Sequence, residues 1–177
     1  DGGNRDVASE HEALVDAVGQ PEIGDVLSQL ERLGNDPDRH ADLLDAYLKV
    51  VDEVQDAGEQ ARVLRNIGAL ATGQDRQADA RRAYERLLEQ NADDQAAAES
   101  LEAVLVRQED HEALAELLVR RGEKATTSPA RDGFFISAAE IYRNRLDRPE
   151  DAIGLYERVS QAGPAGVEAQ AVLGPLY

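Results

Sequence analysis

The sequence repeats itself, and that constrains it more than anything else it contains. "HADLLDAYLKV" from His40 aligns with "HEALAELLVRR" from His111, and "IGALA" from Ile67 aligns with "AAEIY" from Ala138, both at an offset of 71 residues. "ADARRAYERLLEQNADDQ" from Ala78 then aligns with "EDAIGLYERVSQAGPAGV" from Glu150 once one residue is inserted in the preceding loop. Segments aligned in one order over such a length are not coincidence. Each unit must take the same local structure and bury its apolar side against a neighbour, since a short unit cannot build a core alone.

The local structure is helical, because the stretches between breaks carry helix signals and no convincing strand. "SEHE" at Ser9–Glu12 reads as a capping box, and Gly19 as the stop of a short first helix. Pro21 opens a second helix ending near Gly34, and Asp36 caps a third, with Pro37 at its first position and an end near Gly58. Further breaks fall around Gly73, Asn91, Asp110, Ser128, Pro149 and Gly163. The expectation is about ten helices joined by connections of roughly 2–6 residues, which makes neighbours antiparallel. Residues 1–8, polar and Gly-rich, are expected to form a flexible tail, residues 9–35 an atypical or capping helix pair, and residues 36–177 the repeats proper.

Spacing within the unit carries a resemblance. Ala80 and Tyr84 are matched 34 residues later by Leu114 and Leu118, and Leu64, Ile67, Gly68 and Leu87 supply bulky and small residues at fixed steps. In the last repeat Ala152, Tyr156, Val159 and Pro164 do the same. This pattern resembles the tetratricopeptide-repeat family, well from about Asp36 onward and only suggestively before it. Glu102, where a small residue is usual, and Leu114 and Leu118, in place of Ala and an aromatic, depart from it. The resemblance implies an all-α solenoid of stacked antiparallel helix pairs in a right-handed superhelix. Gly68, Ala80, Tyr84, Ala152 and Tyr156 would then be packing residues, with Tyr142 in the same role. It also implies that the first helix of each pair lines a concave face that grips a protein or peptide.

Composition narrows the partner. Net charge is −17, from 36 acids against 19 bases, a field that repels nucleic acid and anionic lipid. No apolar run approaches the ~20 residues of a membrane span, so direct membrane insertion is not expected. There is no Cys, hence no disulfide or thiolate site. Met is absent even at position 1, so the chain is expected to be a processed product or a piece of a longer one. Compartment stays open between cytoplasm and export after processing.

Chemistry-bearing residues fall into structural places. His11, His40 and His111 each open a helix in the same way, which marks a job done once per repeat, and stacking would keep them too far apart for a shared metal. Asp36, Asp38 and Asp42 lack the glycine and terminal Glu of a calcium loop. Asp93 and Asp94 read as a helix start. No nucleophile elbow, zinc-binding HExxH or phosphate loop occurs, so no catalytic residue, metal or cofactor is expected. The resemblance places Arg62, Arg65, Arg107 and Arg143 toward the concave side, interrupted by Glu99 and Glu140. Arg forks suit carboxylates, so an acidic or mixed-charge segment is the expected ligand. The function expected is a non-catalytic scaffold or adaptor; the alternative is a regulatory or sensor module of a larger enzyme. Val167–Tyr177 matches the first helix of a further pair, so more chain, or an end-to-end contact, is expected to cover Val172, Leu173, Leu176 and Tyr177.

Overall fold

The computed structural model describes residues 23–34, 36–159 and 164–176. The tail, the capping box at Ser9, the helix to Gly19 and the break at Gly163 lie outside the described residues. Nine α-helices and no strand occupy them: α1 Ile23–Leu33, α2 His40–Val50, α3 Ala57–Gly73, α4 Gln77–Gln90, α5 Gln95–Arg107, α6 His111–Lys124, α7 Ser128–Asn144, α8 Pro149–Arg158 and α9 Pro164–Leu176. The chain is all-α. It forms two compact units divided between Ala97 and Ala98.

Helix boundaries reproduce the sequence period. α3 and α7 are both 17 residues long and start and stop 71 residues apart. α2 and α6 begin at His40 and His111, and α4 and α8 begin 72 residues apart, after the inserted residue. Capping explains several of these limits. Asp94 Oδ1 accepts from the Ala97 amide at 3.0 Å and Asp110 Oδ1 from that of Ala113 at 3.1 Å, each satisfying a free donor of a first turn. α3 and α5 end in paired backbone bonds of one design: Arg76 and Asp110 donate to the carbonyls of Ala71 and Leu105, five residues back, at 2.8 and 3.1 Å. The preceding residues, Asp75 and Glu109, take φ of 58° and 54°, the left-handed turn that closes such an end.

One expected helix is shorter. The third does not run to Gly58: α2 stops at Val50, and Asp36 caps a 3-10 turn, Pro37–Arg39, that leads into it. Val51 and Val54 are buried in the connection, whose carbonyls would otherwise be left without donors. Gln60 Nε2 donates to both, at 3.1 Å to Val51 and 3.3 Å to Val54. α3 then starts at Ala57, with Asp56 Oδ1 accepting from the Glu59 amide at 2.8 Å, so Gly58 sits in a first turn.

The core of the first unit is Leu27, Leu30, Leu43, Leu44, Tyr47, Leu64, Ile67, Ala80, Tyr84 and Leu87. That of the second is Leu101, Leu105, Leu114, Leu118, Phe135, Ala138, Ala139, Tyr142, Ala152 and Tyr156. With few aromatics, close backbone approach does the packing. A Cβ added at Gly68 would stand 2.6 Å from the Tyr84 ring, and one at Gly122 would stand 2.6 Å from the Phe135 ring. Each glycine is therefore the notch that receives a ring.

Candidate interaction surfaces

Arginines link the helices inside each unit, and they do so at equivalent places. In the first unit Arg76, just before α4, donates from Nε to Asp79 Oδ2 at 2.7 Å and also binds Asp45 on α2. In the second, Arg148 just before α8 donates from Nε to Asp151 Oδ2 at 2.7 Å and reaches Glu112 on α6 at 2.9 Å. Arg86 on α4 pairs with Asp52 at 2.8 Å, and its counterpart Arg158 on α8 pairs with Glu123 at 3.0 Å. Partly exposed pairs of this kind contribute about 0–1 kcal/mol each, so their role is to fix how neighbouring helices meet. Sequence reasoning did not single them out, although a signal was there: "DRQAD" at Asp75 recurs as "DRPED" at Asp147, and "YER" at Tyr84 recurs at Tyr156.

The second unit adds rings under its guanidiniums. Arg148 lies 5.0 Å from the Tyr142 ring centroid, Arg158 4.3 Å from that of Phe135 and Arg121 4.5 Å from that of Phe134. Arg121 also binds Glu102 on α5, which accounts for an acid where the resemblance implies a small residue. Asp132 is a buried carboxylate, 3% exposed, with Arg131 Nη2 at 3.3 Å.

The residues assigned to partner binding are divided between the two units. Arg62 and Arg65 lie three residues apart on the exposed flank of α3. Arg62 pairs with Glu31 on α1 and, at 2.8 Å, with Glu59; Arg65 Nη2 holds Asp94 Oδ2 at 2.8 Å. The Ala97 amide first, and Arg65 second, hold the Asp94 carboxyl below the usual aspartate value. The forks that the resemblance offers to an acidic ligand are thus filled, on α3, by carboxylates of the chain itself. In the second unit Glu99 is exposed, with Oε1 3.7 Å from Arg121 Nη2. Arg107 is exposed at the last residue of α5, Glu140 is exposed on α7, and Arg143 donates to Asn144 Oδ1 at 3.1 Å.

The packing residues named from the sequence are where the pattern puts them. Gly68, Ala80, Tyr84, Ala152 and Tyr156 are buried, as is Tyr142. His40 opens α2 with Nε2 3.1 Å from the Gly34 carbonyl at the end of α1, His111 opens α6, and His11 lies outside the described residues. Among the described residues no group of three or more His, Asp or Glu could hold a metal ion, and no helix is long and apolar enough to cross a membrane.

Buried and exposed positions behave differently between the units. Leu64, Ile67, Gly68, Ala80 and Tyr84 answer to Phe135, Ala138, Ala139, Ala152 and Tyr156, buried throughout. On the open flanks Arg62, Arg65 and Ala69 answer to Gly133, Ile136 and Glu140. The frame and its arginine ties recur, and the residues on these flanks of α3 and α7 do not. No protein-family model and no curated protein matches this chain.

Proposed function

We propose that the chain is a non-catalytic helical-repeat scaffold, similar to tetratricopeptide repeats, whose first unit holds a protein or peptide through the exposed flank of α3 and whose second unit offers a surface of its own on the flank of α7. The recurring frame with diverging flanks supports this reading. If the flanks only kept the helices in solution, any charged residue would serve equally well at each place. A basic pair on α3 and a Gly, Ile, Glu set on α7 instead give the two units different recognition chemistry. The partner is a protein segment of mixed charge. Its acids compete with Glu31, Glu59 and Asp94 for Arg62 and Arg65, which makes capture strongly salt-dependent.

A photo-crosslinking residue placed at Ala69 on α3, which is exposed, tests the reading against one at Glu89 on α4. The expected result is one protein adduct at stoichiometric yield from Ala69, lost when Arg62→Gln and Arg65→Gln are combined at unchanged helicity. Adducts confined to Glu89, or adducts indifferent to the arginine substitutions, would overturn it.

A further inference from the structure

The arginine ties that hold the frame recur in both units, and one arginine pair does not. Arg76 with Asp79 returns as Arg148 with Asp151, and Arg86 with Asp52 returns as Arg158 with Glu123. Arg65 with Asp94 has no counterpart: the equivalent positions are Ile136 on α7 and Gly166 on α9, so the arginine and its acid are missing together. A tie that the frame needs would be present twice. Arg65 and Asp94 therefore serve the flank that is particular to the first unit.

The two arginines of that flank are held with different firmness. Arg62, its side chain 45% exposed, meets Glu31 and, at 2.8 Å, Glu59, whose side chains are 40% and 35% exposed. Both acids are long, open side chains with freedom to leave. Asp94 is short and its side chain only 10% exposed, and both of its oxygens are in use: Oδ1 accepts from the Ala97 amide at 3.0 Å and Oδ2 from Arg65 Nη2 at 2.8 Å. Those donors, the Ala97 amide first, hold its carboxyl below the ordinary aspartate value. The cap fixes this carboxylate before it meets the guanidinium, so little side-chain freedom is lost in making the pair. A free carboxylate arriving from solution has no such advantage and finds Arg65 occupied. A carboxylate on a ligand already anchored at Arg62 arrives at a roughly millimolar effective concentration and exchanges with Asp94.

We propose that Asp94 is a gate on the α3 flank. The free chain presents Arg62 for exchange, and Arg65 opens only to a segment whose second acid is delivered by a first acid held on Arg62. The gate rests on the α3 flank being the partner site, and it adds the selection made there: a segment with two acids spaced to match Arg62 and Arg65 is captured in preference to a segment with one.

The probes are two short blocked peptides, alike except that one carries a pair of glutamates three residues apart and the other a single glutamate. Each is titrated into the full 177-residue chain while the arginine Nε–Hε resonances are observed. In wild type the single-acid peptide should shift Arg62 alone, whereas the paired-acid peptide should shift both arginines and bind about tenfold tighter. Asp94→Asn, which keeps the cap, should let the single-acid peptide shift Arg65. It should also raise the affinity of the paired-acid peptide about three- to fivefold, the upper figure being set by one exposed ion pair. Arg65→Gln should abolish the difference between the peptides. A shift at Arg65 from the single-acid peptide in wild type, or affinities unaltered by Asp94→Asn, would overturn the gate and leave the α3 flank standing as the partner site. No shift at either arginine from either peptide would overturn the reading of the flank itself, and the gate with it.

Discussion

The two units share the 17-residue length of α3 and α7 and their arginine ties, yet they place their tightest contact differently. In the first unit the notch is Gly68 on α3, filled by Tyr84 on α4. The second keeps the tyrosine as Tyr156 but carries Ala139 opposite the glycine's position, and its notch is Gly122 on α6, filled by Phe135 on α7. Rings also cluster in the second unit: Phe134, Phe135 and Tyr142, each under an arginine, stand where the first has Val63, Leu64 and Ala71. A repeat therefore prescribes where helices start and which face they bury. It leaves open which pair of helices takes the closest approach, and a single glycine decides that.

The largest expected effect comes from emptying a notch. Tyr84→Ala and Phe135→Ala should each cost about 3–5 kcal/mol, read as a lowered urea midpoint. Hydrogen exchange should lose protection in α3 and α4 for the first and in α6 and α7 for the second. Loss spread equally over both units would show that they do not open separately. Filling a notch should cost less. Gly68→Ala and Gly122→Ala are expected to destabilise by about 1–3 kcal/mol through overpacking, whereas Ala139→Gly should cost about 0.5–1 kcal/mol because it only loosens a helix. If Gly68→Ala costs as much in a Tyr84→Leu background as in wild type, the ring is not what the glycine accommodates.

Smaller differences sharpen the contrast. Arg158→Gln should cost about 0.5–1 kcal/mol more than Arg86→Gln, the excess coming from the ring under Arg158. The excess should persist in 1 M salt, where the Debye length is about 3 Å and exposed ion pairs are screened. Asp94→Asn should be the mildest. Asn still caps a helix, so only the Arg65 pair is lost, worth up to about 1 kcal/mol. Because the Asp94 carboxyl titrates below its unfolded value in the fold, its contribution is complete above the ordinary aspartate value. It disappears as pH falls through the depressed one. The two proteins should therefore differ in urea midpoint at pH 7 and converge at strongly acidic pH.

Much of the fold was legible because the breaks use strong chemistry. Gly73 ends α3, Asn91 follows α4, Asp110 caps α6, Ser128 opens α7 and Pro149 opens α8, each at a break read from the sequence. The break after Val50 was not legible. "VDEVQDAGE" from Val51 contains no residue that forbids a helix before its glycine, and what ends α2 there is a long-range act, the Gln60 amide supplying donors to the Val51 and Val54 carbonyls. The surface was harder to read than the core for a similar reason. That Arg62 and Arg65 belong to an open flank follows from helical spacing, but their carboxylates come from Glu31 and Asp94, some thirty residues away on either side. Pairing over such distances has no local pattern, and only the recurrence of "DRQAD" and "YER" hinted at the other ties.

The connection between α7 and α8, Arg145–Arg148, is one residue longer than that between α3 and α4. Even so, Asp147 has a φ of 52° against 58° at Asp75, and Arg148 closes its turn on the Tyr142 carbonyl at 2.9 Å as Arg76 does on that of Ala71 at 2.8 Å. An added codon has thus been absorbed without turning the following helix, because the extra length bulges before the left-handed residue and leaves the arginine's anchorage intact. The same codon inside α4 would rotate everything beyond it by about 100° and carry Leu87 out of the core. In-frame insertions should accordingly survive ahead of Asp75 and Asp147 and be eliminated from the helices, so the reading frame of this gene has safe and lethal addresses set by two turns.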